Sequence, residues 1–179
     1  MRLLQAMAGA EHGGAEAFFV RLAVALERAG VEQRLVLRGY PERLATLRAA
    51  GIEPVTARFG GFFDFATRRC LRAEISSFRP DIVLTWMNRA SAFCPTPAQV
   101  GHDFVQAARL GGYYKLKYYR RSRHLIANTR GIATYLADQG WPAERVHYLP
   151  NFVSAEWAPA EPRARNDTPD GVPLLLGLG

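Results

Sequence analysis

The sequence is poor in cysteine and in long apolar runs. Its 179 residues contain two cysteines, Cys70 and Cys94, which lack the spacing of metal ligands. We expect both to be inert thiols, because a cytosolic chain keeps its cysteines reduced. No stretch approaches the ~20 apolar residues of a spanning helix. Met1 leads straight into an apolar segment, so we also expect no signal peptide.

Acidic residues are outnumbered, and lysine is scarce among the basic ones. The 23 Lys and Arg exceed the 16 Asp and Glu and give a net charge of +7, but only Lys115 and Lys117 are lysines. This excess favours anionic partners such as nucleotide diphosphates, nucleic acid or acidic lipid headgroups, and a solvated arginine-rich surface is the alternative. With 49% hydrophobic and 22% charged residues, the chain is predicted to be globular rather than disordered.

The first turn lacks the common phosphate-binding motifs. A strand is predicted at Leu3–Met7 and an amphipathic helix at Glu16–Ala29, with the glycine-rich segment Ala8–Ala15 between them. Neither G-x-G-x-x-G nor a P-loop is present. Strand, glycine turn and helix nevertheless open a doubly wound α/β domain, in which ligands bind outside the carboxyl ends of the strands. We predict that Gly13 and Gly14 contact an anion at the helix N-terminus, and a purely structural turn is the alternative.

Predicted strands and helices alternate along the rest of the chain. This alternation predicts a doubly wound, Rossmann-like parallel sheet with right-handed crossovers over residues 1–154. The further strands are predicted at Gln33–Arg38, Glu53–Ala57, Ile82–Trp86, Phe104–Ala108, His124–Ala127 and Val146–Leu149, and the helices at Pro41–Ala50, Phe62–Phe78, Asn88–Ala92, Tyr113–Arg121 and Arg130–Gln139, with a loop at Pro95–Pro97.

The composition changes after residue 154. Residues 155–172 are rich in proline and polar residues and are predicted to be a linker. Residues 173–179 are apolar and glycine-ended, and we predict that they begin a second, truncated domain. The alternative is a terminal strand that completes the same sheet.

Five segments resemble, in order and spacing, motifs of the GT-B glycosyltransferases of family 4. They are the G-G-x-E turn at His12–Glu16, the P-D-(I/V)-(V/I) strand entry at Pro80–Leu84, the strand leading into (A/G)-N-(S/T) at His124–Thr129, the V-x-x-(I/L)-P-N-G-V-D segment at Val146–Val153, and the opening strand of the second domain at Pro173–Gly179. Three positions depart from the family: Phe152 replaces a glycine, Ser154 an aspartate, and Arg109 stands where a histidine is common.

The resemblance implies the N-terminal, acceptor-side half of a GT-B enzyme about twice as long as this chain. Such an enzyme transfers a sugar from a nucleotide-diphosphate donor to a hydroxyl, with retention and without metal, by stabilising the departing diphosphate. It needs no cofactor, since the nucleotide sugar is a substrate. The donor nucleotide pocket would lie in the missing C-terminal domain, so we expect this fragment to be inactive.

Six further residues are candidate cleft residues. Asn88 and Arg89 follow the strand at Ile82–Trp86 and would share its sheet edge, where an amide suits sugar hydroxyls and a guanidinium suits anions. We predict that Arg109 follows the strand at Phe104–Ala108 and holds an anionic group. The other candidates are His12, Tyr113 and Asn151. For all six, ordinary capping, turn or surface roles remain the alternative.

The predicted partners are a nucleotide sugar and a glycan or lipid-linked acceptor. The aromatic and basic segment Tyr113–Arg123 is a candidate for contact with an anionic membrane, which predicts a cytoplasmic protein at the inner face of the membrane. A non-catalytic module that binds an anion or a protein partner remains the second hypothesis. A nucleic-acid-binding domain is the third, but no nucleic acid partner is expected.

Overall fold

The computed structural model describes residues 1–61, 63–153, 159 and 171–173. Strands and helices alternate along them, and short 3-10 turns occur at Leu116–Tyr118 and Ala143–Arg145. The strands are β1 Arg2–Met7, β2 Glu32–Leu37, β3 Val55–Thr56, β4 Ile82–Trp86, β5 Val105–Leu110, β6 His124–Ala127 and β7 Val146–Tyr148, and the helices are α1 Gly14–Arg28, α2 Pro41–Ala49, α3 Phe65–Phe78, α4 Met87–Phe93, α5 Pro97–Val100 and α6 Arg130–Asp138.

The strands form one seven-stranded sheet in the order β3-β2-β1-β4-β5-β6-β7, and every pairing is parallel. The predicted doubly wound α/β architecture is therefore confirmed. The strand order reverses between β1 and β4, and the crevice at such a switch point is where open α/β sheets bind ligands. The two outer strands are the shortest, with two residues in β3 and three in β7.

The core lies on both faces of the sheet because alternate residues of a strand point to opposite sides. Leu3 and Met7 of β1 join the cluster that contains α1 and α2, whereas Leu4 and Ala6 join the cluster that contains α3 and α4. A third cluster packs α6 against the ends of β5 and β6.

Two predicted elements are wrong in detail. Tyr113–Arg121 is not a helix but a loop with one 3-10 turn, because Tyr119 is drawn into the third core cluster and is fully buried. The loop predicted at Pro95–Pro97 ends one residue early, because α5 begins at Pro97, where Thr96 and Gln99 make a capping box.

Two other predictions need correcting. Strand β5 extends to Leu110, so Arg109 lies inside the strand rather than after it. Helix α3 begins at Phe65 because the Asp64 carboxylate accepts the Thr67 backbone N–H, which caps the helix. Phe65 is exposed instead of packing inward with Leu71, and Phe62 lies outside the described residues.

Within the described part of the chain, no helix has the length and apolar character that a bilayer span requires. The predicted linker at 155–172 and the predicted strand at 173–179 lie almost wholly outside the described residues, so both stay predictions.

Candidate functional site

A cavity of about 300 Å³ opens at the carboxyl ends of the central strands. We call it the Arg109 cavity. It receives residues from the start of α1, from the ends of β4, β5 and β6 and from the segment after β7, as expected for a ligand crevice at a switch point. Its lining residues are Gly14, Ala15, Phe18, Trp86, Met87, Arg109, Gly111, Asn128 and Asn151.

Arg109 is held among aromatic rings on one wall of this cavity. The strand register places Arg109 of β5 opposite Trp86 of β4, so that both side chains lie on the face of the sheet covered by α1. The guanidinium carbon lies 4.5 Å from the ring centroid of Phe18 and 5.4 Å from that of Trp86. Both contacts are in the range of cation–π attraction, which fixes the guanidinium over the aromatic floor.

The hydrogen-bond donors of the Arg109 guanidinium are only partly satisfied. Its Nη2 donates to the Leu149 carbonyl at 3.0 Å and to Asn151 Oδ1 at 2.6 Å. Its Nη1 is buried without a hydrogen-bond partner among the described residues, and the three ion pairs found there lie elsewhere. Burial lowers the pKa of Arg109 to about 10, which still leaves it protonated at neutral pH.

The N-terminus of α1 also lines the cavity. Gly14 is the first helical residue, and a Cβ placed on it would meet nothing within 4 Å. A Cβ on the preceding Gly13 would instead collide with the Glu16 carboxylate, which folds back to accept the Ala10 backbone N–H at 2.9 Å. The sequence therefore needs a glycine at 13 to admit Glu16, while the glycine at 14 leaves space in the cavity.

The segment after β7 is fixed over the same cavity. Phe152 packs edge-on against Phe18, with the ring centroids 5.0 Å apart. Arg21 of α1 donates to the Phe152 carbonyl at 3.2 Å. The phenylalanine that departs from the family's glycine thus anchors this segment to α1.

Of the predicted site residues, the structure brings Gly14, Arg109 and Asn151 together. Gly13 and His12 lie on the other side of α1, where they line a separate surface depression between α1 and α2.

The remaining three predicted residues do not line the Arg109 cavity. Asn88 is half-buried in α4, directly after β4 as expected. Arg89 is exposed and donates to the Phe59 carbonyl at 3.1 Å. Tyr113 is exposed and packs edge-on against Tyr135 of α6, with the ring centroids 5.3 Å apart.

Sequence reasoning did not identify Asn128 as a candidate site residue. Thr129 caps α6 by accepting the Ile132 N–H, which leaves the Asn128 side chain free to line the cavity. Its Oδ1 is buried without a hydrogen-bond partner among the described residues. Its position directly after β6 was the signal that could have identified it, since the carboxyl ends of parallel strands share one edge.

Backbone strain also marks this edge. Met87 lines the cavity with φ of 59°, which is an uncommon value for a residue with a side chain. Such outliers cluster at ligand-binding sites.

Together, a buried guanidinium, two amide side chains and a helix N-terminus can bind a polar, negatively charged group. The described residues contain no group of three or more His, Cys, Asp or Glu side chains that could hold a metal ion.

Comparison with known proteins identifies the family of the chain. The sequence matches the family model of Glycosyltransferase Family 4 over residues 12–157. It is 32% identical over 181 residues to the lipopolysaccharide core biosynthesis glycosyltransferase LpsD of Rhizobium meliloti, covering 100% of this chain and 51% of the relative. It is 33% identical over 174 residues to LpsE of the same organism, covering 93% of this chain and 48% of the relative. The chain spans about half the length of the curated relatives it matches.

Solved structures share the fold. Anabaena Alr3699/HepE, crystallised in complex with UDP, superposes with a TM-score of 0.65 at 14% identity, covering 84% of this chain and 44% of that one. The apo form of the lipopolysaccharide outer core galactosyltransferase WaaB also gives 0.65, at 15% identity, covering 87% and 47% of the two chains. The seven-stranded domain therefore corresponds to about half of these structures.

Proposed function

The chain belongs to glycosyltransferase family 4, and on that basis we propose that it is the acceptor-side domain of an enzyme that transfers a sugar from a nucleotide-diphosphate donor to a glycan or lipid-linked acceptor. The transfer proceeds with retention and without a metal ion. The relatives named for lipopolysaccharide core biosynthesis support an acceptor in a core oligosaccharide.

The Arg109 cavity is the observation that carries this proposal. It lies at the switch point of a parallel sheet, and its walls combine a buried cation with amide side chains and a helix N-terminus. Amides can donate to and accept from sugar hydroxyls. A fixed cation and helix dipole stabilise negative charge that develops when a diphosphate leaves, without having to reorganise.

In this proposal the active site lies between the domain described here, which contributes the Arg109 cavity, and a further domain that follows it in sequence. Residues 155–172 serve as a linker and residues 173–179 begin the domain that binds the nucleotide. The short span of this chain relative to its relatives supports the assignment. Gly14, which lines the cavity, then approaches the diphosphate or the sugar held by that domain across the crevice, whereas Gly13 lies outside the cavity.

A lipid-linked acceptor requires a surface that can contact an anionic membrane, and exposed aromatic side chains at the start of α3 support such a contact there. Phe63 and Phe65 are 79% and 68% exposed. They line one depression with the exposed Arg58, and Arg69 lies one helical turn beyond Phe65. We assign membrane contact at the cytoplasmic face to this aromatic and basic patch, with Tyr113–Arg123 as the competing surface.

Sugar transfer tests the proposal. The 179-residue chain and a chain prolonged by the second domain are incubated with nucleotide sugars and either deacylated core oligosaccharide or a lipid-linked acceptor, and the products are measured by mass spectrometry. We expect turnover from the longer chain and at least a thousandfold less from the shorter one, since the positioning of both substrates contributes about 10⁵-fold or more.

Two results would contradict parts of this proposal. Comparable turnover from the 179-residue chain would contradict the proposal that a further domain is needed for catalysis. A longer chain that binds sugars and transfers none would favour the non-catalytic binding module.

A further inference from the structure

We propose that the Arg109 cavity selects a sugar that carries one anionic group, either a carboxylate or a phosphate monoester, with Arg109 Nη1 donating to the anion and Asn128 Oδ1 accepting from a neighbouring hydroxyl. The inference deepens the proposed function by naming the substrate class of that site. It stands on binding geometry, and its test is separate from sugar transfer.

The first argument is the uncompensated charge. Arg109 is 4% exposed, and no Asp or Glu among the described residues pairs with it. A buried cation without a counterion is costly, and such charges in folded proteins are paired or bind a ligand. The cation–π contacts with Phe18 and Trp86 offset only part of that cost.

The second argument is the pair of unused polar atoms. Arg109 Nη1 is a donor and Asn128 Oδ1 an acceptor, both are buried, and neither has a partner among the described residues. Both residues line the same cavity. A group that carries a charged oxygen beside a hydroxyl satisfies both atoms, because the oxyanion accepts from Nη1 while the hydroxyl donates to Oδ1. A sugar acid and a sugar phosphate both have this arrangement.

The third argument is the size and charge of the space. A volume of about 300 Å³ lies at the lower end of small-ligand pockets, which suits one sugar ring. One guanidinium supplies one positive charge, and the N-terminus of α1 adds roughly half a charge. That balance fits one carboxylate or one phosphate monoester, whose charge at neutral pH is about −1.5 to −2.

Binding of three methyl glycosides to the 179-residue chain tests the proposal. They are a hexuronic acid, the neutral hexose of the same configuration and the 6-phosphate of that hexose, each titrated by NMR at low salt. We expect one of the acidic glycosides to bind about tenfold tighter than the neutral one, the value of one charge-assisted hydrogen bond. Tighter binding of the uronate identifies a carboxylate as the anion, and tighter binding of the 6-phosphate identifies a phosphate.

Variants identify the residue responsible. Arg109→Met removes the charge and is expected to abolish the preference. Arg28→Gln removes the same charge from the far end of α1, where the side chain is exposed, and is expected to keep it. Gly14→Ala leaves Arg109 in place but narrows the cavity, so both kinds of glycoside should bind more weakly; this variant serves if Arg109→Met does not fold.

Several outcomes would overturn the inference: equal affinity for neutral and acidic glycosides, a preference that survives Arg109→Met, an equal loss in Arg28→Gln, or unchanged affinities in Gly14→Ala. Failure of the transferase proposal looks different, since a longer chain without turnover leaves the preference for acidic glycosides in place. If the longer chain transfers neutral sugars and the 179-residue chain does not prefer acidic glycosides, this inference is contradicted while the proposed transferase function stands.

Discussion

The Arg109 guanidinium donates from Nη2 to Asn151 Oδ1 at 2.6 Å, although 42 positions separate the two residues in sequence. One end of this contact lies in the interior of the sheet and the other in the segment that leaves the domain. The same guanidinium lines the cavity, so one side chain joins the cavity to the segment after β7.

The open space at Gly14 predicts a variant that separates folding from function. Gly14→Ala fills part of the cavity, and alanine is the better helix residue, so the free energy of unfolding should be unchanged or rise by up to about 1 kcal/mol. We expect sugar transfer by the two-domain enzyme to fall at least about tenfold because the bound sugar is displaced. Thermal denaturation and kcat/KM measure the two effects.

Gly61→Ala is the matched control, because a Cβ at Gly61 also meets nothing within 4 Å and lies far along the chain from the cavity. Equal transfer by Gly14→Ala and wild type would mean that the ligand does not use this space.

Replacing Arg109 with methionine should not weaken the free protein. The change removes an unpaired buried charge and leaves a flexible apolar chain between Phe18 and Trp86. The acceptors it abandons, on Leu149 and Asn151, lie on exposed residues and can bind water. We expect urea denaturation to give equal stability or a gain of about 1 kcal/mol. A loss above about 2 kcal/mol would show that Arg109 serves the fold rather than a ligand.

The ring contact between Phe152 and Phe18 predicts how firmly the segment after β7 is held. Phe152→Gly restores the residue common in the family and removes an edge-to-face pair worth about 0.5–1.5 kcal/mol. Amides of residues 151–153 should then exchange faster with deuterium, while those of β5 should not change. Val153→Gly is the control because Val153 is largely exposed. If both variants accelerate exchange equally, the ring contact does not hold the segment.

The histidine pair on β6 and β7 predicts a dependence of stability on pH. His124 Nδ1 lies 3.0 Å from His147 Nε2. Burial lowers the pKa of His124 below 6.5, with smaller contributions from His147, Arg123 and Arg145. The unfolded chain therefore takes up this proton before the folded chain does, and stability falls as the pH drops through 6.5. The melting temperature should decline from pH 7.5 to 5.5.

His147→Gln removes one contribution to the lowered pKa of His124 and should make that decline smaller. His12→Gln, in an exposed loop, should not affect it. If His147→Gln melts with the same pH dependence as wild type, the pair is not the origin of the effect.

Vesicle binding distinguishes the two candidate membrane surfaces. Phe65→Ser should weaken sedimentation of the protein with vesicles that contain anionic lipid, by roughly threefold to tenfold, because an exposed ring no longer enters the interface. Tyr113→Ser replaces a ring that is 67% exposed in the competing segment and should leave binding unchanged. The reverse result would move the contact to Tyr113–Arg123.

The sequence predicts the fold well and the cavity only in part, for physical reasons. Strands β4 and β6 were located to the residue, since each is a short apolar run between clear turns. Strand β5 was ended at Ala108 because Arg109 is charged, and hydrophobic periodicity does not identify a strand that continues through a buried charged residue. The helix expected at Tyr113–Arg121 failed because the burial of Tyr119 overrode local propensity.

The sequence could not predict which residues line the cavity together. That Gly14, Arg109 and Asn151 share one cavity follows from sheet order, which alternation alone leaves open. The pairing of Trp86 with Arg109 depends on strand register, and no local pattern specifies it.

The double use of Arg109 has a thermodynamic consequence. The N–H groups of Arg109 are divided between the cavity and the hydrogen bonds to Leu149 and Asn151, so we expect a ligand bound to Arg109 to change the strength of those hydrogen bonds. Linkage is reciprocal. The factor by which a ligand in the cavity shifts the position of the segment after β7 therefore equals the factor by which a change in that position shifts the affinity of the cavity for the ligand.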